Sequence, residues 1–125
     1  RKALAFVENG AAIVLTSSVA GFKAGSEMIA YDTSKAGLMA VMRNLALAGA
    51  GKHVRVNMVV PGLVDTPNGR IAGAGRASRG GGDYLPFRRF CTGWEIAYAS
   101  LFFMSAESVY VTAQYLAVDS GITGL

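Results

Sequence analysis

Two short β-branched runs joined by one long glycine-poor stretch constrain this chain more than anything else in it. Ile13-Val14-Leu15-Thr16 and residues 54–60 are apolar, with Arg55 and Asn57 the only polar breaks in the second run, and they are punctuated by Ser17-Ser18 and by Pro61-Gly62. Both read as buried strands. Between them, residues 30–48 are rich in Ala, Leu and Met, with Leu38, Met42, Leu45 and Leu47 near a helical repeat, and Gly49-Ala50-Gly51 follows as a stop. Strand, long helix and strand make a βαβ unit, in which the strands run parallel and the crossover is right-handed. Farther along, Thr92-Gly93-Trp94-Glu95 has capping-box spacing ahead of the apolar run 96–104, which predicts a second helix. Residues 115–118 read as a third strand ended by Asp119-Ser120-Gly121. The order predicts an α/β layered fold with a parallel sheet.

Residues 67–90 show no clear period and are expected to be a loop, which at that length suggests a substrate lid. Five arginines (Arg70, Arg76, Arg79, Arg88 and Arg89) stand there against Asp83, and this segment carries the whole net charge of +4. A nucleic-acid interface would spread such charge over a helix or sheet face, so no nucleic-acid partner is expected. A solvated loop and a loop that attracts an anionic substrate or cofactor both remain open.

The chain has 125 residues, one domain at most, and its 52% hydrophobic and 16% charged content excludes disorder. Cys91 and His53 are each the single residue of their type, so neither an internal disulfide nor a structural zinc site can form. No metal is expected, and a reducing, cytoplasmic compartment is. No uncharged apolar run approaches the roughly 18 residues of a membrane span, so no membrane partner is expected. The start at Arg1 rather than Met points to a piece of a longer protein.

The residues with the most chemical content are Ser18, Tyr31 and Lys35. Tyr31 and Lys35 are four apart at the start of the predicted helix, so they share a face. A free phenol titrates near about 10, and a neighbouring ammonium favours the phenolate. Such a pair can exchange a proton with a carbonyl or alcohol oxygen. Ser18 stands at the end of a predicted parallel strand, where α/β sites gather, and its hydroxyl can donate to a developing oxyanion. Taken by itself, Tyr-x-x-x-Lys is more often a helix-surface packing pair.

The surroundings add weight. Thr-Ser-Ser-Val-Ala-Gly at 16–21, Tyr-Asp-Thr-Ser-Lys-Ala-Gly at 31–37, Val-Arg-Val-Asn-Met-Val-Val-Pro-Gly-Leu-Val-Asp-Thr at 54–66 and Leu-Ala-Val-Asp-Ser-Gly at 116–121 occur in this order. Together they resemble the short-chain dehydrogenase/reductase family over nearly the whole chain. The resemblance implies a partial, Rossmann-like fold, the C-terminal half of a single domain in the order β-α-β-lid-α-β. It also implies an NAD- or NADP-dependent oxidoreductase acting on a small carbonyl or alcohol, and a dimer or tetramer in the full-length form.

Carried over by matching residues, Tyr31 would be the acid/base and Lys35 would tune it and bind the nicotinamide ribose. Ser18 would hold the substrate carbonyl, and Pro61 and Gly62 would pass beside the nicotinamide. The Val64 backbone and the Thr66 hydroxyl would bind the carboxamide. Pro61-Gly62 is otherwise a plain strand-ending turn, and Thr66 otherwise a helix cap. The family's pyrophosphate-binding glycine turn and upstream catalytic Asn have no counterpart in this sequence. A truncated, inactive remnant acting at most in subunit association is therefore the alternative function. It would leave the first strand as an exposed apolar edge. Lesser expectations are His53 in a surface turn, Cys91 as an inert thiol and Asn57 as a buried residue bonding neighbouring backbone. Trp94, Phe102 and Phe103 are expected in the core or in a subunit contact.

Overall fold

A computed structural model describes residues 2–24, 26–77 and 85–125. Three strands, β1 (Ala12–Thr16), β2 (Arg55–Pro61) and β3 (Tyr115–Val118), form a parallel sheet in the order β1-β2-β3. The register pairs Ala12 with Arg55 and Thr16 with Val59, then Met58 with Tyr115 and Pro61 with Val118. Helix α1 (Ile29–Gly49) makes the crossover from β1 to β2, as the βαβ reading requires. β1 and β3 are the two edges of this sheet.

The central strand is buried along its whole length because both of its faces are covered. Val56, Met58 and Val60 alternate onto one face and join Met42, Ala46 and Val19 in the main apolar cluster, under α1. Arg55 and Asn57 alternate onto the other. There Arg55 reaches helix α3 (Gly93–Met104). Asn57 meets the expectation for it: its amide donates to the Val111 carbonyl at 2.8 Å, and its oxygen accepts from the Gln114 N–H at 3.0 Å. These two bonds hold the segment leading into β3 against β2. Helix α3 starts on the expected capping box, with Thr92 and Glu95 each satisfying the other's backbone N–H.

One expectation fails over part of its range. Residues 67–90 were expected as a loop, yet Pro67–Ala77 forms a helix, α2. The start signal was local: the Thr66 hydroxyl accepts from the Gly69 N–H at 3.0 Å, and Pro67 occupies the first turn, where its missing N–H costs nothing. Gly69, Gly73 and Gly75 hid this signal by suggesting a loop. Residues 78–84, the rest of the glycine-rich stretch, lie outside the described residues. Phe103 is core, whereas Trp94 is 71% exposed and stacks obliquely on Tyr98 at the surface. His53 sits exposed in a left-handed turn after α1, as expected.

Candidate active site

Parallel strands bring their C-terminal ends to one edge of the sheet, and the loops leaving that edge carry the candidate residues. β1 releases Ser17 and Ser18 there, and β2 releases Gly62 to Thr66.

The first loop is clamped onto α1. Ser17, buried, donates its hydroxyl to the Lys35 carbonyl at 2.8 Å. Ser18 caps the short 3-10 turn Val19–Gly21, its hydroxyl oxygen accepting from the Ala20 N–H at 3.2 Å. Gly21 then passes so close to α1 that a Cβ there would lie 2.7 Å from the Ala36 nitrogen. Only glycine permits that approach, and the approach ties the Ser18 loop to the helix turn that carries Lys35.

On α1, the Lys35 ammonium donates to the Thr16 carbonyl at 3.2 Å and lies 5.6 Å from the centre of the Tyr31 ring. That separation is within cation–π range. The start of α1 has no side-chain cap on Met28. Instead the Ser26 hydroxyl donates to the Asp32 carboxylate and accepts from the Met28 N–H, which fixes the turn before Tyr31. The Tyr31 side is exposed and Lys35 is half-buried, so the pair opens to solvent at the sheet edge.

The second loop is held from two sides. Gly62 donates its N–H to the Val118 carbonyl at 3.0 Å, and a Cβ on Gly62 would lie 2.9 Å from the Asp119 Cα. The glycine is therefore required by the neighbouring strand end, whatever else passes beside it. Val64 pairs with Cys91 in a parallel bridge: Cys91 N–H donates to the Leu63 carbonyl at 2.8 Å, and Asp65 N–H donates to the Cys91 carbonyl at 2.7 Å. Thr66 N–H donates to the Val64 carbonyl at 2.8 Å. The Thr66 hydroxyl caps α2, as the plainer reading of this residue had it.

Beside this loop lies an open cleft with about 430 Å³ of empty space, lined by Leu63, Leu85, Phe87, Val118 and Ile122 among others. Cys91, half-buried, reaches it as a free thiol, which burial pushes above its ordinary pKa. Among the described residues no cluster of His, Cys, Asp or Glu could hold a metal ion. Also among them, no helix is long and apolar enough to cross a membrane.

The family model described as enoyl-(acyl carrier protein) reductase matches residues 1–123. The chain belongs to the short-chain dehydrogenase/reductase family. Carbonyl reductase family member 4 of Danio rerio is 40% identical over 116 residues, which cover 93% of this chain and 46% of that protein. The 3-oxoacyl-[acyl-carrier-protein] reductase FabG of Thermotoga maritima is 34% identical over 115 residues, with 92% and 46% covered.

Among solved structures, a short-chain dehydrogenase family protein from Francisella tularensis superposes with a TM-score of 0.84 at 30% identity, covering 94% of this chain and 53% of that one. A proposed NAD(P) dependent gluconate 5-dehydrogenase from Beutenbergia cavernae, with NADP bound at low occupancy, gives 0.83 at 31%, covering 98% and 49%. This short-chain dehydrogenase/reductase chain thus spans about half the length of the curated relatives it matches. The likeness bears out the partial Rossmann-like fold.

Ser17 and the Arg89–Glu95 pair were missed by sequence reasoning. Nothing local separates Ser17 from Ser18. The Arg89–Glu95 contact was hidden because Glu95 had already been explained as a cap.

Proposed function

We propose that this chain is the proton-transfer and nicotinamide side of an oxidoreductase that interconverts a small carbonyl compound and its alcohol with NAD or NADP. When bound, the dinucleotide supplies the hydride chemistry. The observation that carries the reading is the placing of the Lys35 ammonium, anchored on the Thr16 carbonyl and set beside the Tyr31 ring at the sheet edge.

An ammonium has three N–H donors. One serves Thr16, and the others suit the two hydroxyls of a ribose. With that ammonium beside its ring, Tyr31 gives its proton to the substrate oxygen in reduction and takes it back in oxidation. Ser18 donates to the same oxygen. Pro61 and Gly62 flank the nicotinamide, and the Val64 backbone and Thr66 hydroxyl meet its carboxamide. Helix α2 covers the substrate side. A dinucleotide's pyrophosphate would need a glycine turn at a helix start as well.

A cytoplasmic setting fits the lone thiol. A homo-oligomer fits the exposed apolar stripe of Trp94, Tyr98 and Leu101 on α3. That stripe also favours the competing reading of a silent remnant that only supports a sister subunit. Tyr31→Phe in the protein that carries this chain separates the two. Loss of about 10²–10⁴-fold in kcat with cofactor affinity kept is expected for the enzyme. Near-normal turnover would remove Tyr31 from the reaction, and no carbonyl reduction by the unmodified protein with NADH or NADPH would favour the remnant.

A further inference from the structure

The carboxylate of Glu95 gathers four donors. Oε2 accepts from Arg89 Nη1 at 2.9 Å, from the Thr92 N–H at 2.7 Å and from the Thr92 hydroxyl at 3.0 Å, and Oε1 accepts from Arg89 Nη2. A helix cap needs only the Thr92 contacts. The guanidinium adds a planar, two-pronged grip, which fixes orientation as well as distance.

That grip closes a short loop. Residues 90–94 lie between Arg89 and Glu95, Phe90 and Cys91 among them. The Phe90 ring lies against Gly73 of α2, and Cys91 is the residue that pairs with Val64. The backbone of residues 63–65 is therefore held to β3 through Gly62 on one side and to α3 through the Arg89–Glu95 grip on the other.

We infer that Arg89 and Glu95 are positioning residues for the nicotinamide end of the cofactor, acting through the Cys91 bridge on the Val64 backbone. The inference rests on the carboxamide role proposed above for Val64. It assigns no proton transfer to either residue. Ordinary exposed ion pairs contribute little to stability, so the effect belongs in cofactor binding rather than in unfolding.

The test is Glu95→Gln, which keeps an acceptor for the Thr92 cap but removes the charge, with Arg89→Met as a second variant that leaves the cap untouched. Two measurements are made on the full protein. Amide hydrogen exchange at Cys91 and Asp65 is expected to quicken about tenfold while Met58 and Val60 stay protected, as for a local opening. The NADH or NADPH dissociation constant is expected to rise about fivefold, the size of one lost surface-type contact, with kcat at saturating cofactor unchanged. Unchanged exchange at Cys91 and Asp65 in both variants overturns the grip. Faster exchange with unchanged cofactor binding overturns the link to the cofactor. Tyr31→Phe judges the reaction itself independently of either result.

Discussion

The Arg55 guanidinium donates to the Phe103 carbonyl at 2.7 Å across 48 residues of sequence. The same group donates to the Ser108 hydroxyl at 2.8 Å and to the Ser105 carbonyl at 3.1 Å. A buried cation thus rests on neutral oxygens at the C-terminal end of α3, where the helix dipole is negative. This anchors the far end of α3 to the start of β2, opposite the end that bears the capping box.

Arg55→Met is expected to lower unfolding free energy by about 2–3 kcal/mol, because charged hydrogen bonds are lost and buried carbonyls are left unpaired. Arg55→Lys should recover only part of this, since a point charge cannot copy the fork. Urea denaturation of the three proteins checks the order. Equal midpoints would show that α3 is held without Arg55.

Two glycines near the candidate site should respond oppositely to the same change. Gly21→Ala drives a methyl into the backbone of α1 and is expected to cost about 1–3 kcal/mol. It should also lower kcat by displacing Ser18. A Cβ on Gly37, inside α1, meets nothing within 4 Å. Gly37→Ala should therefore stabilise by about 0.5–1 kcal/mol through helix propensity. Thermal melts of both variants decide the matter.

Lys35→Ala removes both the ammonium beside Tyr31 and the bond to Thr16. Turnover and cofactor affinity should fall together. Lys35→Arg should restore neither fully, because a planar guanidinium differs in shape and hydration from an ammonium. Steady-state kinetics with a separate cofactor titration is the measurement. Cofactor affinity unchanged in Lys35→Ala would break the ribose assignment.

The hydrogen bonds from Arg89, and then those from Thr92, hold the Glu95 carboxyl well below the usual carboxylate range. A folded-state pKa below the unfolded one gives stability that is present above the unfolded value and is lost as pH falls through the folded one. Acidification from neutrality to the ordinary Glu value of about 4.3 should leave Glu95 ionised and paired. Carbon NMR of the carboxyl during an acid titration tests this, and a midpoint at the ordinary value would contradict it.

Cys91 should behave in the reverse sense. Burial first, and then the nearby Glu95 charge, raise its thiol above the ordinary range. The thiolate is the nucleophile, so alkylation near neutral pH should run several-fold slower than for free cysteine. It should accelerate only above the usual thiol value of about 8.5. Rapid labelling at neutral pH would count against a raised thiol pKa.

The legible features were those written in neighbouring residues. Thr92 and Glu95 announce α3 three positions apart, and the β-branched content of β1 and β2 marks both strands. Tyr31 and Lys35 share a helix face by spacing. What was hidden depends on distant partners: Arg55 on Phe103, Ser17 on Lys35, and Cys91 on Val64. An isolated arginine in an apolar strand looks like an interruption until the helix it serves is in place. Helix α2 was missed for a different reason. Its Thr66-Pro67 start was present, but three glycines outweighed it in a reading based on propensity.

The parallel register has a kinetic consequence. β1 pairs with residues 43 positions away, and β2 with residues 57 positions away. Bringing such distant segments together costs loop entropy before any ladder bond repays it, and chains built this way fold slowly. Helix α1 shortens the first of these loops once formed, since its 21 residues then span only about 1.5 Å each. Early helix formation between Ile29 and Gly49 would therefore govern how fast the sheet can close, and β3 would be the last strand to join.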